Sequence, residues 1–168
     1  MLSSHSDFFT LFGLEKKFSQ ELSQIKTRFY QLQQTVHPDK FVNAPISDKR
    51  AAMSLAATIN EAYQVLCTPL KRAIYLLKIQ GVDIQSETDT TMSADFLMEQ
   101  ISLRERLGEG EGQTLKDDID SKLKACEHAL SKYLDKQQSE DLQGAREVVR
   151  QMQFYVRLIQ EYEDKPIS

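Results

Sequence analysis

The chain has 168 residues, 27% of them charged and 40% hydrophobic, which is enough to bury one moderate core or two small ones and excludes a disordered or fibrous chain. Six Gly, four Pro and no Trp favour helices over a loop-rich or all-β fold, and no run of about 18 uncharged apolar residues is present to span a membrane. The net charge of −4 is unevenly divided: residues 1 to 85 carry ten basic against seven acidic side chains (+3), residues 86 to 168 eleven against eighteen (−7), and neither half has the basic groove with interleaved aromatics that signals nucleic acid.

The spacing of apolar residues is helical nearly everywhere, and the expected fold class is all-α. A short helical piece is expected from Asp7 to Leu14. Leu22, Ile25, Phe29, Leu32 and Val36 then recur at steps of three and four, with Ser19 placed to cap that helix. Pro38 stops it, because proline has no backbone N–H to donate and biases His37 away from the helical region. The tripeptide His37-Pro38-Asp39 therefore sits in a short polar loop. Ser47 is placed to cap the next helix, whose Ala52, Leu55, Ala56, Ile59, Ala62, Tyr63 and Leu66 share one face. Pro69 can open a further helix with Leu70, Ala73, Ile74 and Leu77 inward, and Gly81 is suited to end it.

Residues 81 to 92, GVDIQSETDTTM, break the periodicity with polar, turn-forming residues, so a domain boundary is expected there. Ser93 caps a helix to about Leu107 that the GEGEG run ends. Thr114 with Asp117 has the spacing of a capping box for a second helix on Leu115, Ile119, Leu123, Cys126, Leu130 and Tyr133. A third is expected from about Ser139 to Glu163 on Val148, Met152, Tyr155, Ile159 and Tyr162. Three helices with short connections make a bundle. The expected domains are residues 1 to 80 and 93 to 168, joined by a linker over 81 to 92.

Little in the sequence suggests catalysis, and the chain is expected not to be an enzyme. His37 and Asp39 have no third orienting group and no evident pocket. Cys126 and His128 lie two apart on a helix and diverge, which makes a poor metal pair, and His5 has no ligand-type neighbours. GEGEG lacks both a preceding strand and the P-loop lysine. Cys67 and Cys126 form neither a CxxC pair nor a disulfide framework. No metal or other cofactor is expected. MLSSHSDFFTLFGL has no basic region followed by a continuous apolar stretch, so the expected location is cytoplasmic and not membrane-bound.

A helix with a basic outer side, the loop His37-Pro38-Asp39 and a following seam ending ATINEAYQVL resemble a J-domain, the module with which co-chaperones engage DnaK-type ATPases. The resemblance extends over nearly the whole chain: DFFTLFGL, HPDKF, ATINEAYQVL, RAIYLL in the Pro69 segment and FLMEQISLRERL are together similar to the HscB family of J-type co-chaperones of iron–sulfur cluster assembly, in its bacterial form. The cysteine zinc motif frequent in eukaryotic relatives is absent. So are the Gly/Phe-rich region and the cysteine-rich domain of general DnaJ proteins. The resemblance implies an N-terminal J-domain hairpin with short flanking helices and a C-terminal three-helix bundle. It implies that His37, Pro38 and Asp39 dock on an HscA/DnaK-type chaperone and promote its ATP hydrolysis. Lys26 and Arg28, with Lys16 and Lys17 nearby, can steer that encounter.

On the first helix of the bundle, at about 100° per residue, Phe96, Leu103 and Leu107 fall in one stripe while Leu97, Met98 and Ile101 lie roughly 100° to 200° around it, on the side of Glu105. On the last helix Phe154 lies about 200° from Met152, with Leu158 close to it. Leu97, Met98, Ile101 and Phe154 are expected to be exposed as one apolar patch, the alternative being that they pack against the J-domain. The matching family positions contact an IscU-type scaffold, so the resemblance implies that Leu97, Met98, Ile101, Glu105 and Phe154 bind it. The alternatives are a general J-domain co-chaperone for unfolded clients, told apart by the second domain's preference for arbitrary apolar peptides, and a helical metal-binding or redox protein, which would carry stoichiometric metal.

Overall fold

The computed structural model describes residues 7–84, 92–136 and 141–166, and among them every regular element is helical. In order these are α1 (Phe8–Leu11), α2 (Leu22–Thr35), a 3-10 turn (Pro38–Phe41), α3 (Ile46–Cys67), α4 (Pro69–Ile79), α5 (Ala94–Gly108), α6 (Gln113–Leu134) and α7 (Leu142–Glu163). The chain divides into two compact units, Met1–Tyr75 and Leu76–Ser168. Residues 85–91 of the expected linker and Ser139 lie outside the described residues.

In the first unit α2 and α3 form the hairpin and α1 packs against α3. Its core is Phe9, Phe12, Phe18, Ile25, Val36, Ala52, Ile59, Ala62, Leu66 and Ala73, all buried. The alanines of α3 let α2 approach closely, and the Phe29 ring stacks on Tyr63 at 3.9 Å between centroids. Two polar ties hold the remaining segments. The backbone N–H of Phe8 donates to the Tyr75 hydroxyl at 3.0 Å. Buried Arg72 donates to the Leu66 carbonyl at 2.6 Å and lies over the Phe18 ring.

The three helices of the second unit run up, down and up. Lys116 near the start of α6 pairs with Glu163 at the end of α7 at 3.7 Å, so these two are antiparallel. Arg104 on α5 pairs with Glu161 on α7 at 2.9 Å, and Phe96 meets Phe154 edge-on, so α5 and α7 are parallel. The core consists of Phe96, Leu103 and Leu107 from α5, Leu115, Ile119, Cys126, Leu130 and Leu134 from α6, and Ala145, Val149, Met152, Phe154, Tyr155 and Leu158 from α7.

Helix ends separate the expectations that hold from those that do not. Ser93 caps α5 as expected, accepting the Phe96 N–H at 3.2 Å. Asp7 caps α1, accepting from Thr10 at 2.9 Å. Ser19 does not cap α2, which begins only at Leu22 with extended Glu21 before it. Ser47 lies inside α3, which Pro45 precedes. Thr114 lies inside α6, and Asp117 accepts the Gln113 side chain at 2.8 Å rather than completing a capping box. The seam of α7 is also displaced: Val149 and Leu158 are buried where Val148 and Ile159 were expected to be, and those two are half-buried.

Glycine ends α4 and α5 by one mechanism. After α4, Val82 donates to Leu77 at 2.9 Å and Gly81 to Lys78 at 3.0 Å, and after α5, Glu111 donates to Arg106 at 3.1 Å and Gly110 to Leu107 at 3.2 Å. These are the paired bonds of a Schellman motif. They require a left-handed residue, and Gly81 and Gly110 have φ of 84° and 79°. Gly110→Ala is expected to lower stability by about 1 to 2 kcal/mol through left-handed strain alone, since open space surrounds the position. Chemical denaturation of the variant checks this, and an unchanged midpoint would show that the turn relaxes.

Candidate functional site

The two sets of residues singled out by sequence fall in different units. In the first, Val36 is the hinge of the site: its side chain is buried while its N–H turns back to the Gln33 carbonyl at 3.2 Å, closing α2. His37 follows with extended backbone (φ −59°, ψ 134°) and is the N-cap of the 3-10 turn that Pro38 opens. His37 Nδ1 accepts the Asp39 N–H at 3.3 Å, and the Asp39 carboxylate is 3.5 Å from the same nitrogen. Lys40 N–H closes the turn on the His37 carbonyl at 3.0 Å. The side chains of His37 and Asp39 are both exposed, so the tripeptide is a turn braced against α3 and open to solvent.

The basic residues are not equivalent. At about 100° per residue, Lys26 and Arg28 lie on opposite flanks of α2 about the buried Ile25. Lys26 is on the flank of Tyr63 and Cys67, and burial raises the Cys67 thiol, with the Tyr63 hydrogen bond and Lys26 opposing. Arg28 is on the other flank, its guanidinium beside Gly13. Both are exposed and in no ion pair among the described residues. Lys16, by contrast, pairs at 2.6 Å with Asp7, the cap of α1, and Lys17 pairs with Glu15 at 3.1 Å. Exposed Tyr30, one turn along from Lys26, was not singled out by spacing, although its position off the core stripe is visible in the sequence.

In the second unit Leu97, Met98 and Ile101 are 46%, 67% and 54% exposed, and Glu105 is exposed beside them. Phe154 is different. It is only 7% exposed, a correction to the expected four-residue apolar surface. The physical reason is that α7 has two neighbours: the arc of Ala145, Val149 and Met152 faces one way, while Phe154 and Leu158 form a second buried arc. Phe154 packs edge-on against Phe96 at 5.8 Å, and Arg104, held by Glu161, covers its ring at 5.5 Å. It is the floor under one rim of the α5 surface.

Among the described residues no chemistry-bearing cluster competes with these surfaces. Among the described residues no group of three or more His, Cys, Asp or Glu is arranged to hold a metal ion. Cys126 is buried, which pushes its thiol up to about 11 with nearby Glu99 and Glu127 adding to the effect, while His128 is exposed. Among the described residues no helix is long and apolar enough to cross a membrane.

Comparison with known proteins separates the same two units. A DnaJ domain family matches residues 7–75, and the HSCB C-terminal oligomerisation domain family matches residues 92–163. The chain is 38% identical over 159 residues to a co-chaperone protein HscB homolog of Cupriavidus taiwanensis, covering 90% of this chain and 89% of that protein. It is similar in structure to chaperone HscB from Vibrio cholerae, with a TM-score of 0.80 and 31% identity over 94% of this chain and 96% of the other. It is also similar to human co-chaperone protein HscB, with a TM-score of 0.87 and 27% identity over 96% and 82% of the two chains.

Stability separates the floor from the surface. Phe154→Ala is expected to cost about 3 to 5 kcal/mol through a buried cavity, whereas Met98→Ala should stay within about 0.5 kcal/mol of the parent. Denaturant unfolding of both variants gives the comparison; equal losses would mean that Met98 is also packed.

Proposed function

Because the chain belongs to the HscB family of J-domain co-chaperones, which act in iron–sulfur cluster assembly, we propose that it carries an IscU-type scaffold to an HscA/DnaK-type chaperone and stimulates that chaperone's ATPase. In this reading residues 1–80 are the J-domain, 81–92 the linker and 93–168 the scaffold-binding domain, working in the cytoplasm without a cofactor of their own. The co-chaperone performs no chemistry. The observation that carries the proposal is that one unit presents the preformed His37-Pro38-Asp39 turn and the other an apolar α5 face that its own core leaves uncovered.

The J-domain acts on the chaperone by preferential binding. A ligand shifts an equilibrium only by its differential affinity for the two states, so His37, Pro38 and Asp39 must fit the hydrolysis-competent state of the ATPase better than the resting one. Pro38 and the Nδ1 hydrogen bond reduce the conformational freedom that docking would otherwise remove, which favours affinity. Lys26, beside Tyr30, is assigned a direct contact, and Arg28 on the opposite flank long-range steering. On the scaffold side Leu97, Met98 and Ile101 are the apolar anchors and Glu105 a rim contact, with Phe154 supporting them from beneath.

His37→Gln is expected to abolish stimulation of the partner ATPase while leaving helicity and scaffold affinity unchanged. Steady-state hydrolysis, circular dichroism and calorimetry measure the three, and full stimulation by the variant would remove the assignment of the turn. Arg28→Glu should slow chaperone association at low ionic strength, with the difference from the parent shrinking as salt rises. An association rate that is unchanged at low salt would return Arg28 to an ordinary solvated side chain.

A further inference from the structure

The apolar seam that holds α5 has a gap. Phe96 and Leu103 are buried two turns apart, and between them α5 contributes no buried apolar side chain, although this is the stretch that presents Leu97, Met98 and Ile101 outward. Apolar contact is non-directional, so Phe96, Leu103 and Leu107 hold the helix down without tightly fixing its rotation at that level.

Glu99 occupies the gap. One carboxylate oxygen accepts the Tyr155 hydroxyl of α7 at 2.5 Å, and the other accepts Lys122 Nζ of α6. The carboxylate is thus tied to both other helices of the bundle. Burial works to raise its pKa, but the hydrogen bonds from Lys122 and Tyr155 outweigh that and hold the carboxyl below its ordinary range. The clasp lies on the α6 side of α5; Arg104, tied to Glu161, holds the other flank. Charge-assisted hydrogen bonds are directional and geometrically demanding, so this pair of bonds supplies the rotational constraint that the seam lacks.

We propose that Glu99 is a positioning residue for scaffold docking, its bonds to Lys122 and Tyr155 setting the rotation of α5 and so the bearing of Leu97, Met98 and Ile101. The proposal rests on the reading of that face as the scaffold-docking surface. Glu99 itself need not touch the partner. Its contribution is preorganisation, the saving of ordering that would otherwise accompany binding.

The test uses the full chain and an IscU-type scaffold without cluster. Glu99→Leu with Tyr155→Phe replaces the carboxylate and the hydroxyl by apolar groups of similar volume, and leaves Lys122, whose side chain is 36% exposed, to turn into solvent. Expected are a melting temperature at or above the parent's, faster amide exchange confined to α5, and scaffold affinity lower by about tenfold. A merely structural clasp would lower the melting temperature and leave the affinity of the folded protein alone. Parental affinity in the folded double variant overturns the proposal, as does unchanged exchange in α5. Should the double variant not fold, Tyr155→Phe alone, which removes only the hydroxyl, is judged by the same criteria. A Leu97→Ala, Ile101→Ala variant run alongside separates the two levels. If it binds as the parent does, the docking surface itself is misassigned and the positioning role falls with it; if it binds weakly while the clasp variant binds fully, only the positioning role is lost.

Discussion

A helix held along one narrow stripe cannot bury a second apolar face, and the character of the second unit follows from that constraint. Phe96, Leu103 and Leu107 occupy nearly the same bearing on α5 and are its only buried side chains. Geometry then sends Leu97, Met98 and Ile101 outward, since residues one, two and five positions beyond Phe96 lie about 100° to 200° around the helix. Burying them in the bundle would expose the seam. The result is an apolar surface of three side chains on a helix that is otherwise largely polar on its outer side.

The opposite end of the problem is solved in the first unit by a single proline. Pro38 ends α2 and opens the 3-10 turn, while buried Val36 anchors the chain just before it. Between these two fixed points His37 has little choice of backbone conformation, and its Nδ1 is committed to the Asp39 N–H. A polar tripeptide that would be mobile in an ordinary loop is thereby presented in one arrangement. The nearby charges divide by the same logic of commitment. Lys16 is occupied with the carboxylate that caps α1, and Asp7 is lowered because the hydrogen bonds from Lys16 and Thr10 outweigh its burial. Lys26 and Arg28 are in no such ion pair among the described residues.

Polar groups do different work in the two units. Arg72 satisfies a carbonyl at the end of α3 and rests on Phe18, holding loop and helix together inside the first core. Glu99 ties three helices at the level of the exposed surface, and Arg104 covers Phe154 while bonded to Glu161. Both Glu99 and Arg104 sit on α5, the helix that presents Leu97, Met98 and Ile101 outward. Apolar packing supplies most of the stability of such a bundle, but directional bonds decide the rotation of its least embedded helix.

What the sequence determined by itself is whatever depends on the chain's own local chemistry. The existence and order of the helices, the cap at Ser93, the stop at Pro38, the start at Pro69, the glycine terminations and the stripe of α5 all follow from periodicity and backbone restrictions that act within a few residues. Only the tertiary structure decided which faces have neighbours. Periodicity gives the bearing of a side chain about its own axis but not the number of helices around it. Phe154, correctly placed off the Met152 stripe, is therefore buried, because α5 lies over that second arc of α7. The opposite flanks of Lys26 and Arg28 on α2 follow from the helical period, whereas the reach of Lys16 back to Asp7 is a tertiary relation. The Glu99 clasp joins residues 23 and 56 positions apart on three helices, a relation that no local pattern encodes and that only packing brings about.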